Sequence, residues 1–263
     1  MYKKIILPNG LRVVAYPMPK MESASLGIWI NIGGRYETKE FKGISHYLEH
    51  LLFKGSKKYS CRRIKESIEG VGGSLNGFTS EELTCYLVKI PAAQINLALD
   101  ILSDMVINPL LLEEEIEKER TVILEEAKMY KDLPQSYVHE LLDELLWPDQ
   151  PLGMSIIGTP ESISRIKRTD LASYQGKYYT PANITLSICG KMNYPAIIRR
   201  LGKIFGRLSA KETSAFARAG EAQLKPQLKL FSKDTEQTHL ALGFHGFMRG
   251  HPLRHALGLL HII

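Results

Sequence analysis

Apolar positions recur along this 263-residue chain with two periods, and the changes between them mark its elements. Residues 3–7 and 11–16 are short β-rich runs on either side of Pro8-Asn9-Gly10, a hairpin signal because Asn-Gly suits a tight primed turn. Residues 23–32 continue the β pattern until Gly33-Gly34 stops it. The period then becomes helical over 43–54, with Gly55 expected as a C-terminal cap, and over 61–69, ending at Gly70. Residues 74–79 and 83–90 read as strands. From 92 to 147 the pattern is helical, broken near Asn108-Pro109 and Leu133-Pro134. A loop over 148–160 precedes a helix at 170–178, a strand at 183–189 and a helix at 194–208. Residues 209–226 have little apolar pattern and read as a linker. Residues 227–231 and 239–244 alternate like strands again, and a helix from about Pro252 runs apolar to Ile263. The expectation is one whole domain at 1–208 and, at 227–263, the truncated start of a second.

Composition narrows the class. The hydrophobic fraction of 44% and charged fraction of 24% are those of a globular protein and exclude wholesale disorder. No apolar run approaches the ~18 residues of a membrane span, so no membrane partner is expected. Lys3 and Lys4 precede only three apolar residues before Pro8, too few for a secretory leader. The cysteines, Cys61, Cys85 and Cys189, are odd in number and form no C-x-x-C pair. They fit packed free thiols in a reducing compartment, and a cytoplasmic protein is expected. The net charge of +6 comes from a surplus between Arg165 and Lys233, spread over helix-like segments without interleaved aromatic residues. That favours solvated helix faces over a nucleic-acid surface.

The chemistry concentrates in Ser45-His46-Tyr47-Leu48-Glu49-His50-Leu51-Leu52. At about 100° per residue, His46 and His50 lie about 40° apart, with Glu49 beside them. Ile44, Tyr47, Leu48, Leu51 and Leu52 occupy the other face. Two histidines at i and i+4 can share one zinc, and the carboxylate beside them can reach a water on it. This is H-x-x-E-H, the inverse of H-E-x-x-H. With 8 histidines in the chain it is expected by chance only about 0.02 times.

A third ligand must come from elsewhere. On a helix over 112–130, Glu119 and Glu126 stand about 20° apart on the stripe shared with Ile116, Val122 and Ile123. The opposite side carries Glu114, Glu117, Lys118, Thr121, Glu125 and Lys128. A carboxylate on a core-facing stripe is costly unless paired or metal-bound; a Glu-rich helix can also carry acids on every side without any of them meaning more.

Together these residues resemble the pitrilysin family of inverted-zincin metallopeptidases, the group of insulin-degrading enzyme and mitochondrial processing peptidase. The matching segments are the H-x-x-E-H run, Glu119-Arg120-Thr121-Val122-Ile123-Leu124-Glu125-Glu126, Gly72-Gly73-Ser74-Leu75-Asn76-Gly77-Phe78-Thr79-Ser80, Pro151-Leu152-Gly153 with Ile157-Gly158-Thr159, and Tyr179-Thr180-Pro181-Ala182-Asn183. The resemblance implies an α+β fold, a mostly antiparallel sheet packed with helices. It implies one Zn2+ per chain held by His46, His50 and Glu126, with Glu49 as general base and Glu119 orienting a ligand histidine. The implied function is a zinc-dependent metalloendopeptidase. Its substrate would be an extended peptide pairing with an edge strand at Ser74, Leu75, Asn76, Gly77 and Phe78; the plainer reading of that stretch is a glycine-softened strand beside the site. A second related domain or subunit, in a homo- or heterodimer if separate, would close a chamber over it. Two rivals remain in view: a catalytically inactive scaffold subunit of such a complex, and a basic nucleic-acid-binding module.

Overall fold

The computed structural model describes residues 1–209, 215–220 and 223–262. Six strands form one sheet: β1 (Lys3–Ile6), β2 (Arg12–Pro17), β3 (Ser23–Ile30), β4 (Ser74–Thr79), β5 (Thr84–Pro91) and β6 (Ile184–Gly190), in the order β1-β2-β6-β3-β5-β4. Every pairing is antiparallel except β2 with β6, so the expected α+β class with a mostly antiparallel sheet is what the chain adopts. Register explains the core. Ile28 lies opposite Tyr86 on one side and Leu186 on the other, and all three are buried. Their neighbours one residue along face the other side of the sheet. β4 closes one edge and pairs only with β5.

The first hairpin corrects one expectation. Gly10 N–H donates to Leu7 O, Leu7 N–H donates to Leu11 O, and Gly10 has φ +88°. That is a three-residue connection with one left-handed glycine. A two-residue primed turn would need positive φ at Asn9 as well, which Asn9 does not have.

The helices are α1 (Ile44–Leu52), α2 (Cys61–Glu69), α3 (Ile95–Ile107), α4 (Glu113–Asp132), α5 (Pro134–Leu146), α6 (Pro160–Arg165), α7 (Arg168–Tyr178), α8 (Tyr194–Phe205) and α9 (Arg254–Leu260). Of these, α1, α2 and α3 pack on strands of the sheet, α4 packs on α1, α5 packs on α4, and α9 is exposed along its length. Gly55 does not cap α1. The helix ends at Leu52 with Phe53 as its cap, and Gly55 instead bridges Ser60 across a short turn. α6 was not expected from the sequence; Thr159 caps it by accepting from Ser162 N–H, and Pro160 opens its first turn. Of the cysteines, Cys85 is buried and Cys61 half-buried, but Cys189 is exposed rather than packed.

Two contacts fix α1, the helix that carries both histidines. At its N-terminus the buried Glu37 carboxylate accepts from Gly43 N–H at 2.9 Å and Ser45 N–H at 2.8 Å, answering two of the donors a helix start leaves free. Gly43 has φ +92°, and a Cβ there would come within 2.4 Å of Ile157 O, so only glycine fits. On its flank, Tyr47 donates its hydroxyl to Ile116 O and ties α1 to α4.

The segments 227–231 and 239–244 are not strands. Leu228, Leu230, Leu240, Leu242 and Phe244 keep the alternation that suggested them but remain largely exposed. Alternation alone does not hold a strand; it needs a neighbour to accept its ladder bonds, and among the described residues none stands beside these. Instead the chain runs along α5, where Phe231 packs edge-on against Tyr137 and His245 stacks on Trp147. Of the expected linker, residues 210–214 and 221–222 lie outside the described residues, as does Ile263; the described remainder forms no helix or strand.

Candidate metal centre

α1 and α4 cross so that four predicted side chains meet. His46 Nε2 lies 3.7 Å from Glu126 Oε2, and His50 Nε2 lies 3.6 Å from the same oxygen. One ligand atom from each of the three lies within 4.8 Å of the others, the single such grouping among the described residues. Tetrahedral zinc with bonds of about 2.0–2.1 Å sets its donors about 3.3 Å apart. The two carboxylate-to-imidazole distances are a few tenths of an ångström from that, and the donor set fits zinc in type and number.

The protonation chemistry suits the same use. Burial, reinforced by the neighbouring His50, pushes His46 down to about 4, leaving a neutral imidazole with a free lone pair at neutral pH. His50 Nδ1 faces Glu119 Oε2 at 3.0 Å. A carboxylate there accepts from the tautomer that carries its proton on Nδ1, and Nε2 is the ring nitrogen that faces Glu126. His46 Nδ1 is buried without a hydrogen-bond partner among the described residues. The stripe predicted on α4 is buried at its centre, Ile116, Glu119 and Ile123, whereas Val122 reaches solvent.

Glu49 points past the histidines towards β4. Thr79 Oγ1 donates to Glu49 Oε2 at 2.7 Å. Burial pushes the Glu49 carboxyl above its ordinary range, against the opposing pull of the Thr79 hydrogen bond and of His50. Gly77 lies over the same side chain. A Cβ there would stand 3.3 Å from Glu49 Oε1 and 2.9 Å from the Phe53 ring, so β4 can pass close only because position 77 is glycine.

The candidate substrate strand is β4 itself. Ser74, Asn76 and Phe78 are exposed, Leu75 and Gly77 half-buried, and Gly77 N–H donates to Asn76 Oδ1. Beside it a cavity of about 230 Å3 is lined by His46, Thr79, Glu81, Glu126 and Asp143, so it opens onto the metal residues. A larger one of about 470 Å3 lies between α5 and residues 223–243 and touches none of them.

Spacing alone did not reveal Thr79, Lys54 or Glu37. Thr79 carried a usable signal, since it shares the strand period of Leu75 and Gly77 and so their face. His251 and His255, spaced like a second ligand pair, are not on one helix: α9 begins at Arg254, and the His251 ring stacks on Phe247.

Residues 12–160, more than half of the chain, match the family model described as Insulinase (Peptidase family M16). The chain belongs to that family. Residues 165–263 match a second M16 description, Peptidase M16 inactive domain. Among curated M16 relatives, the uncharacterized zinc protease YmxG of Bacillus subtilis is 39% identical over 251 residues, covering 95% of this chain and 61% of its own length. The uncharacterized zinc protease Rv2782c of Mycobacterium tuberculosis is 36% identical over 262 residues, covering 98% of this chain and 60% of its own length. This M16 chain therefore spans about 60% of the curated relatives it matches. A protease from Helicobacter pylori shares the fold with TM-score 0.77 at 24% identity, over 84% of this chain and 54% of that one. A putative M16-like peptidase from Alicyclobacillus acidocaldarius aligns with TM-score 0.73 at 25% identity, over 83% and 52%. The family expected from the motifs is thus the one found. Among the described residues no helix is long and apolar enough to cross a membrane.

Proposed function

We propose that this M16 chain carries the metal-bearing half of a zinc-dependent metalloendopeptidase that hydrolyses peptide bonds in extended peptides or unfolded segments. The observation behind this is the convergence of His46, His50 and Glu126 beside a buried Glu49. These three would hold one zinc ion, which when bound supplies the Lewis acidity that activates water and polarises a peptide carbonyl. The remaining work belongs to the protein's own groups. Glu49 takes the proton from the attacking water and returns it to the leaving amine; burial makes this carboxylate a stronger base than an exposed one. Thr79 holds one of its oxygens in place. Glu119 fixes the tautomer of His50. The open edge of β4 offers backbone pairing to an extended peptide, which reads conformation more than side chains.

On this reading residues 1–208 are the peptidase domain, 209–226 a linker, and 227–263 the start of a related domain. A second half or subunit closes the site. The second reading, a scaffold subunit, is favoured by the inactive-domain match over 165–263, but the metal and base residues lie outside that segment. The test is hydrolysis of an internally quenched peptide by the wild-type chain and by Glu49→Gln, each supplied with its complementary half. Glu49→Gln should keep its zinc and lose about 10²-fold or more in rate. No turnover by zinc-loaded wild type under those conditions would favour the scaffold.

A further inference from the structure

Glu119 is a carboxylate with both oxygens committed. Its Oε2 meets His50 Nδ1 at 3.0 Å, and its Oε1 meets Lys54 Nζ at 2.5 Å. The Glu119 side chain is only 7% exposed, whereas that of Lys54 is 30% exposed, so the ammonium reaches in from the surface to a buried acid. Lys54 follows His50 by four residues, just past the end of α1, and its own N–H donates to Leu51 O. Histidine and lysine thus descend from one short segment onto the two oxygens of one carboxylate. No other cation reaches Glu119 among the described residues.

We infer that Lys54 is a positioning residue of the metal centre: by clamping Glu119 Oε1 it fixes the carboxylate that orients His50. A carboxylate held at one oxygen can turn about its last bond; held at both, by donors on a common backbone, it keeps its plane and its distance from Nδ1. The arrangement also gives a nearly buried negative charge a full positive partner, which an imidazole N–H alone does not. The device serves one histidine only. His46 Nδ1 has no partner among the described residues, so the aim of the donor pair rests on the arm that Lys54 steadies.

This inference rests on the reading that His46, His50 and Glu126 hold zinc, and the experiment separates the two. Zinc dissociation constants are measured by competition with a chromophoric chelator for wild type, K54M, K54Q, K54R, E119Q and the double variant K54M/E119Q. The absorption bands of the cobalt-substituted forms are recorded alongside. K54M and K54Q should each weaken zinc binding about tenfold, the lower end of what loss of a group supporting a ligand histidine costs. They should also shift the cobalt bands. K54R should restore affinity to within about threefold, because it keeps a donor and a charge at the same place. In the E119Q background K54M should add nothing, since its route to the metal is gone. Unchanged affinity in both K54M and K54Q, or an equal loss with and without Glu119, overturns the inference. If K54M does not fold, K54Q and K54R decide the matter. Absence of stoichiometric zinc from wild type, or an unchanged zinc dissociation constant in His50→Ala, overturns the underlying site instead.

Discussion

Two parts of this chain treat their surfaces in opposite ways. Where α1 crosses α4, charged groups are buried and answered: Glu37 by helix N–H groups, Glu119 by Lys54 and His50, Glu49 by Thr79. Along 223–262, apolar groups are exposed and mostly unanswered, from Leu228 to Ile262. The first part is closed by its own residues, including contacts between positions 69 apart in sequence. The second follows α5 without a ladder partner among the described residues. An exposed apolar run of that extent is the kind of surface a protein ordinarily covers. The difference separates a site closed by its own residues from a segment whose apolar side chains stay exposed.

Three perturbations sharpen that contrast. The largest effect is expected from Leu48→Ala. Leu48 is 0% exposed beneath both histidines, and truncating a buried leucine costs about 2–5 kcal/mol. Urea unfolding followed by circular dichroism should show that loss; a cost below about 1 kcal/mol would mean that α1 is not packed as described.

A smaller effect is expected from Thr79→Val, which removes the hydrogen bond opposing the upward push of burial on Glu49. Glu49 must be ionised to act as a base, so activity falls as pH drops through its pKa. Losing the Thr79 hydrogen bond raises that pKa, and the acid limb of kcat/KM should move to higher pH, with Thr79→Ser returning it towards wild type. An unmoved limb would remove Glu49 from the role of base.

The smallest is expected from Leu242→Ser. The side chain is 79% exposed, and surface substitutions of this kind change stability by about 0.5 kcal/mol or less. Binding of a hydrophobic dye should fall at the same time. A loss near that of Leu48→Ala would place 239–244 in a packed core and erase the contrast.

How much of this was legible in the sequence follows the same division. α2 and β4 fall at the expected residues, because local period and flanking glycines specify them. The two glutamates of α4 were visible as an angular coincidence seven residues apart. What spacing could not supply was long-range. The parallel pairing of β2 with β6 joins residues such as Arg12 and Thr185 and leaves no local trace. Lys54 and Thr79 are ordinary polar residues until another element is folded against them. Residues 227–231 and 239–244 fail as strands for the converse reason: the alternation is local, and among the described residues no strand stands beside them.

The account stands most directly on which atoms hold the metal. Zinc K-edge X-ray absorption on the loaded chain should give two imidazoles and oxygen donors at about 2.0–2.1 Å, without sulfur scattering near 2.3 Å. One imidazole should be lost in His50→Ala, and neither in Glu49→Gln. A sulfur shell, or an unchanged spectrum after His50→Ala, would contradict the assignment of zinc to His46, His50 and Glu126.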